Sequence, residues 1–568
     1  MTKLATEKSL GNLISIGLAS ITVFLLIDTV TDPVNAPKFF LLGAVAIATL
    51  GALISHSPKN LIDSNRTTIA ILLIFNVSAL SSTLLSAGPL SQNLYGMYGR
   101  NSGFLTYLFL SLLFLGTLAI RDNSSFKKIL VGLGVAGVVN VVYCLWVIAF
   151  GDFVGWANPY GNILGTFGNP NFIGAFLGIF FSVLMALFFA KNYSRQSKLL
   201  IIAIATLTLF EIYDSSAIQG RIVSAIGLGV VGFYFIRSRY SSSITATYSL
   251  LGLIAASFAA LGALQIGPLT DLIYKYSVSL RGQYWLAGWN TGVANPTHGV
   301  GMDGFGDYYR MMRDEHALTV PGVNTVVNAS HNVFLDFFAF GGWPLFLSYI
   351  ALVILGLWSI IRVTRAQKVY DPVFTGMVVI WVGYQAQSLI SINQIGLAIW
   401  GWVLTAALIA YSRNLRSKQL DGAPGEISNS KKRQSTKKSQ ESVISPQLLA
   451  GIGLVVGGLV ASPPLAADVK WRSAQKTMAL ESLEAALQPS FMNPQNSTKY
   501  LVSIQTFEQS NLPDLARKYA QEAVRFNPNS FELWKVFYLI QASTPEEKAL
   551  ALENMKRLDP LNPDVTAR

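Results

Sequence analysis

Thirteen long apolar runs dominate the sequence and constrain its fold more than any other feature. Runs of roughly 17–25 residues match the helix length that crosses a hydrocarbon core about 30 Å thick. Such segments must be helical, because lipid offers no partner for an unpaired backbone amide. We therefore predict an all-α, polytopic membrane protein of 12–13 transmembrane helices, with spans near residues 12–30, 38–54, 67–86, 103–120, 129–150, 171–190, 198–213, 222–236, 243–264, 341–360, 373–391, 394–412 and 447–466.

Composition and charge agree with a membrane protein and exclude several other classes. Of the 568 residues 52% are hydrophobic and 13% charged, whereas soluble proteins have about 25% charged residues. The net charge of +12 comes from basic loops between the spans, so we predict a bilayer partner and no nucleic acid. Cys144 is the only cysteine, which excludes an internal disulfide and a cysteine zinc cluster.

The distribution of lysine and arginine predicts the orientation. Basic residues retain loops on the cytoplasmic side, and here they fall on every second loop. We therefore predict a multi-pass protein of the cytoplasmic membrane, with the N-terminus inside and a retained first helix. The loops that carry this pattern contain Lys59 and Arg66; Arg121, Lys127 and Lys128; Lys191, Arg195 and Lys198; Arg237 and Arg239; and Arg362, Arg365 and Lys368.

The chain divides into four parts on this basis. Residues 1–412 form the polytopic domain, whose loop at 265–340 faces outward. Residues 413–446 are polar, basic and without aromatic residues, which predicts a disordered cytoplasmic linker that lies on anionic lipid. An additional span at 447–466 then places residues 467–568 outside the cell.

The C-terminal segment has the pattern of paired helices. Leu515–Phe526 carries Ala520 and Ala523 at helix-packing spacing, Phe531–Ile540 follows, and a second unit runs over Glu546–Leu558. Pairs of this length with small residues at the crossing and a closing proline resemble tetratricopeptide repeats. Such repeats bind peptides or protein partners. A plain helical hairpin that packs on the membrane domain is the alternative.

Charged and titratable residues on the outward side are the candidates for chemistry. Arginine in an outward loop opposes the orientation rule, and at a membrane boundary it is costly unless it faces protein or a bound anion. His331 lies where the large loop returns to the membrane, a place where an imidazole can act as a general base. The basic candidates are Arg100, Arg221, Lys275, Arg281, Arg310 and Arg313.

Other features of the large loop are weaker signals. The segment His298-Gly-Val-Gly-Met-Asp-Gly-Phe-Gly306 is a glycine-rich turn that can approach an anionic group, but it lacks the lysine of a nucleotide-binding loop. The carboxylates Asp303, Asp307, Asp314 and Glu315 have the spacing of a solvated loop. With no histidine pair and no dense carboxylate cluster, we predict no metal and no cofactor. Leu280–Gly288 predicts an amphipathic helix with an aromatic face.

Several motifs, taken in order, resemble the O-antigen ligase and O-antigen polymerase superfamily of bacterial envelope glycosyltransferases. The resemblance covers about residues 10–412 and extends to a branch with a helical-repeat tail. Its most specific parts are the GTFGNPNFIG segment and the order of arginine, tryptophan, GVG and HN. The motifs are Asp32-Pro33 with Pro37-Lys38; Tyr98-Gly-Arg-Asn-Ser-Gly103; Gly165–Gly174; Arg281 with Trp285 and Gly288; Gly299-Val-Gly301 with Phe305; and Ser330-His331-Asn332.

The resemblance implies a C-type glycosyltransferase fold and a specific chemistry. Family members move a glycan from a polyprenyl (undecaprenyl) diphosphate carrier to an acceptor hydroxyl, without a metal and with inversion at the anomeric carbon. Their two arginines and one histidine match Arg281, Arg221 and His331 as catalytic residues, and both arginines bind the donor diphosphate. Arg221 follows Ile-Gln-Gly, which departs from the usual Ser-Arg.

The acceptor and two rival functions stay open. A ligase to a lipid, a polymerase that extends the carrier-linked glycan and a protein O-oligosaccharyltransferase share these motifs. A transporter or flippase for a lipid-linked glycan would also be polytopic and basic, although transporters usually show inverted repeats with broken helices. A scaffold that only anchors the repeats would need far fewer spans.

Overall fold

The computed structural model describes residues 3–54, 58–156, 158–263, 266–268, 270, 276–421 and 445–566. His56, Lys275 and most of the predicted linker lie outside these residues. Within them the chain is all-α. The helices of the first 421 residues are α1 (Lys3–Val23), α2 (Asn35–Ile54), α3 (Pro58–Ser64), α4 (Arg66–Leu85), α5 (Leu90–Tyr95), α6 (Phe104–Leu118), α7 (Asn123–Phe150), α8 (Pro170–Phe188), α9 (Arg195–Asp214), α10 (Ile218–Arg239), α11 (Ser242–Ala263), α12 (Tyr276–Ala294), α13 (Phe305–Met312), α14 (Val333–Ala366), α15 (Pro372–Ser388) and α16 (Ile395–Asp421).

The helices confirm a polytopic architecture. Ten of the described helices are long and apolar enough to cross a membrane, and two shorter apolar helices lie at Ser9–Val23 and Phe104–Leu118. Every predicted span falls on a helix, including the 17-residue helix α15, which is buried among its neighbours. Many of these helices expose leucine, valine and isoleucine around one hydrophobic core, as a lipid-facing surface requires.

Two predicted boundaries are wrong. The first span was placed at 12–30, but α1 ends at Val23 because the buried Lys38 Nζ donates to the carbonyls of Ile21 (3.0 Å) and Thr22 (2.5 Å). The linker was placed at 413–446, yet α16 continues to Asp421. Its Arg413 guanidinium donates to the Leu118 and Ile120 carbonyls (both 2.8 Å), and these bonds hold the helix end against the neighbouring loop.

The described residues of the loop predicted to face outward form helices for most of their length. The predicted amphipathic helix at 280–288 is confirmed as part of α12, which packs against α14. The short helix α13 lies between α12 and the C-terminal segment. A kink at Gly342 (φ +64°) divides α14, and the amide of Trp343 there donates to the Pro296 carbonyl (2.9 Å).

The C-terminal segment folds around a second hydrophobic core. The predicted helices at 515–526, 531–540 and 546–558 are present, and the small residues Ala516, Ala520 and Ala523 are buried between them. Tyr98 and Met311 of the membrane domain pack against this second core. The helix α17 (Pro446–Thr477) packs on α2 with its first part and enters the second core with its last turns. The other elements of this core are α18 (Leu480–Leu487), α19 (Ser497–Gln509), α20 (Pro513–Phe526), α21 (Phe531–Leu539), α22 (Pro545–Leu558) and α23 (Pro563–Thr566).

Candidate functional site

Helix α12 carries Arg281 into the protein because glycines let it approach α14 closely. A Cβ atom on Gly288 would lie 2.9 Å from the Cβ of Ser330, and one on Gly292 would lie 2.3 Å from the Phe338 ring. These glycines face α14 from one side of α12, one turn apart. The close approach leaves Arg281 only 8% exposed.

His331 is fixed by the residues on both sides of it. The amide and hydroxyl of Ser330 donate to Asp336 Oδ1 (2.8 and 2.7 Å). The side chain of Asn332 caps α14 by accepting from the amides of Phe334 and Leu335 (3.0 and 3.2 Å). His331 itself has φ +56°, a left-handed conformation that is uncommon outside glycine. Backbone strain of this kind clusters at functional sites. Here the strained residue, His331, lies between Ser330 and Asn332, whose side chains are both hydrogen-bonded.

The surroundings of His331 keep its imidazole neutral. Its ring packs against Tyr284, which lies one turn after Arg281 on α12, with ring centroids 5.5 Å apart. Burial and the positive charges of Arg281 and Arg100 lower the pKa of His331 to about 4. Both guanidinium groups are therefore within electrostatic reach of the imidazole. At neutral pH His331 can accept a proton or a hydrogen bond.

Within the described part of the chain, Arg281 has no carboxylate partner. None of the described carboxylates lies within 4.0 Å of its guanidinium nitrogens. Burial lowers the pKa of Arg281, but an arginine stays charged in a protein. A charge in this position is stabilised well only by a partner of opposite sign. The arrangement therefore favours a bound anion beside His331.

Arg100 belongs to the same region, although the sequence analysis did not place it among the catalytic residues. Its guanidinium lies 3.4 Å from Asp303 Oδ1 and donates to the Asn328 carbonyl (2.6 Å). The other oxygen of Asp303 accepts from the Met97 amide (2.7 Å) and the Ser102 hydroxyl (2.9 Å). Arg100 thus ties the 96–103 loop to the segment that precedes His331. In the sequence, Arg100 stood out as an arginine in a short loop predicted to face outward.

Arg221 is placed differently from Arg281. It lies on the exposed side of the first turn of α10, and its guanidinium stacks on Tyr213 at 5.2 Å from the ring centroid. No described contact joins Arg221 to Arg281 or His331. The structure therefore brings together two of the three predicted catalytic residues, and the role of Arg221 stays a prediction.

The glycine-rich turn at 298–306 is a packing element. The amides of Val300 and Gly301 donate to the carbonyls of Ala339 and Phe340 (3.0 and 3.2 Å) at the kink of α14. A Cβ atom on Gly299 would lie 2.1 Å from the Phe340 carbonyl oxygen. These glycines allow backbone to approach backbone, and two of the amides that would contact an anion are already bonded.

Two carboxylates predicted to be solvated are buried or bonded. Asp303 is fully buried beside Arg100, and Asp307 Oδ2 accepts from Gln92 (3.2 Å) and Asn527 (3.1 Å). The prediction of a solvated loop was wrong for both carboxylates, because their hydrogen-bond partners come from segments distant in the chain. Among the residues that the structure describes, no group of three or more His, Cys, Asp or Glu side chains is arranged to hold a metal ion.

An ion network joins the C-terminal segment to α13. Arg313 donates to both oxygens of Asp559 (2.8 and 2.9 Å), and Arg310 contacts Asp559 (3.0 Å) and Glu532 (2.7 Å). The side chains of Arg313 and Asp559 are fully buried. The Tyr309 ring, which lies next to Arg310 in the chain, meets Tyr284 of α12 (6.0 Å between centroids). The C-terminal segment therefore supports the helix that contacts the His331 region.

Comparisons with known proteins assign no family to this chain. Neither a protein-family model nor a curated protein matches it. The evidence on function is thus the geometry of Arg281, His331 and their neighbours, together with the order of the motifs.

Proposed function

We propose that this protein is a membrane glycosyltransferase of the O-antigen ligase type. It would move a glycan from a polyprenyl diphosphate carrier to an acceptor hydroxyl. The observation that carries the proposal is the pairing of two side chains. Arg281 is a buried arginine with no carboxylate partner among the described residues, and His331 is a neutral imidazole. The Arg281 guanidinium is suited to bind an anion, and the His331 imidazole is suited to accept a proton. The motif order, which resembles that superfamily, supports the same chemistry.

Arg281 is proposed to bind the donor diphosphate. A guanidinium presents a planar fork of N–H donors that matches two phosphate oxygens. When the glycosidic bond to the carrier breaks, negative charge grows on the departing diphosphate, and a fixed buried cation stabilises that charge more than water does. Arg221 is proposed as a second phosphate contact, and its guanidinium is exposed at the start of α10 for that purpose.

His331 is proposed to accept the proton of the acceptor hydroxyl. The hydroxyl oxygen attacks the anomeric carbon, the C–O bond to the diphosphate breaks, and the diphosphate leaves with the electron pair. A base with a pKa of about 4 is weak, but that value belongs to the site without an anion. A bound diphosphate offsets the charges of Arg281 and Arg100, which raises the pKa of His331 towards neutrality. Donor binding would thus activate the base.

The proposal also covers the surroundings of the site. A C-type glycosyltransferase fold and a site on the outer face of the cytoplasmic membrane follow from the motifs and from the positions of the basic loops. The helices at 467–568 are proposed as tetratricopeptide-like repeats. The ion pairs between these helices and the α13 region support a role in stabilising the region around His331. An acceptor or protein partner would bind the surface of the repeats that does not contact the rest of the protein.

The test is transfer of a glycan from purified undecaprenyl diphosphate donor by the full chain, with EDTA present. The variant His331→Asn suits this test because asparagine tolerates the left-handed backbone but cannot act as a base. We expect transfer to fall about 10²–10⁴-fold, the usual contribution of a general base. His298→Asn is the control. The His298 ring hydrogen-bonds to its neighbour Thr297 (2.9 Å), and the substitution should leave transfer unchanged.

Each alternative result has a defined meaning. Full transfer by His331→Asn would overturn the assignment of the base. A folded wild type that binds the donor and relocates it across liposomes without transfer would instead support the flippase.

A further inference from the structure

A large lateral groove lies far from Arg281 and His331. It has a volume of about 1260 Å³ and runs between α7 and α10, with α8 as its floor. Helix α14 begins next to His331 and ends at Ala366, and Val369 and Tyr370, which follow it, line the groove. At a rise of about 1.5 Å per residue, the part of α14 that follows the kink at Gly342 is alone about 35 Å long. The groove and the proposed catalytic site are therefore at opposite ends of that helix.

Most of the groove is apolar. One face of α7 contributes residues at helical spacing, among them Leu130, Val131, Gly134, Val135 and Val138. The three valines are 41–56% exposed, and a Cβ atom on Gly134 would meet no other atom within 4 Å. An open apolar surface of this kind in a membrane protein is covered by hydrocarbon.

One end of the groove is basic. Lys127, Lys191 and Arg239 come from three different segments and line the same end. None of the described carboxylates lies within 4.0 Å of these three side chains. Two acidic residues near the groove are engaged elsewhere. Asp371, between the lining residues Tyr370 and Pro372, accepts from the Val373 amide (2.9 Å) and the Tyr411 hydroxyl (2.5 Å), and Asp122 accepts from the Ser124 amide (3.1 Å).

The dimensions fit one leaflet of a bilayer. From Lys127 to Val139 the groove follows α7 over about 18 Å, given a rise of about 1.5 Å per residue. Half of a hydrocarbon core about 30 Å thick is about 15 Å. A molecule with its anionic head at the basic end would thus have its tails end near the bilayer midplane.

We propose that this groove is a binding site for an anionic diacyl phospholipid. The phosphate would lie among Lys127, Lys191 and Arg239, and the acyl chains would cover α7 and α8. Basic pockets between transmembrane helices bind anionic lipid head groups in this way. The site is independent of the proposed transfer reaction, because its head group lies at the opposite end of α14 from His331.

Native mass spectrometry of the detergent-purified full chain tests the site. The probes are palmitoyl-oleoyl phosphatidylglycerol and its phosphatidylcholine counterpart. We expect the first to bind more tightly, and the triple variant K127Q/K191Q/R239Q to weaken its binding about tenfold or more, since each basic contact contributes. The matched control R121Q/R195Q/R365Q changes three basic residues of the same predicted membrane face outside the groove and should bind as the wild type does.

A second variant separates the groove from its charge. Gly134→Phe adds a ring to the apolar part at a position where a Cβ atom meets no other atom within 4 Å. Gly252→Phe adds the same ring on α11, where a Cβ atom also has no neighbour within 4 Å. We expect lipid binding to fall only in the first. Equal binding of the two lipids, unchanged binding by the triple variant or by Gly134→Phe, or stronger competition by undecaprenyl phosphate would each overturn the proposal.

Discussion

The segment between α11 and α14 contains three buried arginines in two different electrostatic situations: the pair Arg310 and Arg313, and Arg281. Arg310 and Arg313 are matched by Asp559 and Glu532 in a closed network. Arg281 has no described carboxylate within ion-pair distance, and its charge reaches His331 instead. The first group is complete within the protein, so its role is structural. Arg281 has no such match among the described residues, which is the property expected of a residue that binds an anion.

Breaking the complete network should have the largest effect on stability. Asp559→Asn leaves Arg310 and Arg313 buried without their shared partner, and removal of one member of a buried ion pair costs about 3–5 kcal/mol. We expect the C-terminal segment to detach from α13, measured as cleavage by a protease at a lower temperature than in the wild type.

The control for this variant is an exposed pair in the same segment. Lys518 lies 3.7 Å from Glu484, and their side chains are 50% and 32% exposed, so Lys518→Gln should change stability by about 0–1 kcal/mol. Equal protease resistance of Asp559→Asn and Lys518→Gln would show that the network does not hold the segment in place.

A smaller effect is expected where α12 contacts the His331 loop. Gly288→Ala places a Cβ atom 2.9 Å from the Cβ of Ser330, so the loop must shift, and we expect transfer to fall about tenfold because catalysis is sensitive to such displacements. Gly282→Ala on the same helix meets no atom within 4 Å and should leave transfer unchanged. Both substitutions raise helix propensity, so a common loss of stability cannot explain a difference. Equal rates would contradict the proposed geometry.

The pH dependence sharpens the comparison further. The pKa of His331 is about 4, below its ordinary value of 6.5. The unfolded chain therefore binds this proton first as the pH falls, and the stability that the neutral His331 contributes is present above pH 6.5 and lost towards pH 4. Removal of the neighbouring charge in Arg281→Met should raise the pKa of His331.

Nuclear magnetic resonance of histidine-labelled protein measures this shift, since the chain has four histidines. Substitution of each histidine in turn assigns the signals. A His331 midpoint that is the same in Arg281→Met and in the wild type would show that the two groups are not coupled.

The sequence predicted the spans well because lipid permits only helices, so apolar length determines structure directly. It also predicted Arg281 and His331 as site residues, from the motif order and from their positions in the loop predicted to face outward, and the structure brings the two side chains into one region. It could not show that Asp303 is buried beside Arg100, because that pairing depends on contacts between segments distant in the chain. For the same reason the sequence did not predict that Lys38 bonds the end of α1. Nor did it predict that Arg413 bonds a neighbouring loop near the end of α16.

Binding of undecaprenyl diphosphate to the purified full chain is the most direct test of the difference between the two arginine groups. Arg281→Met keeps most of the apolar volume of the side chain and removes only the charge, and Arg517→Met is the control in an ion pair outside this region. We expect Arg281→Met to weaken binding at least about tenfold, as one lost charge-assisted contact of about 1.5–3 kcal/mol requires, with no loss of melting temperature. Wild-type affinity in Arg281→Met would contradict the assignment of Arg281 as the anion-binding residue.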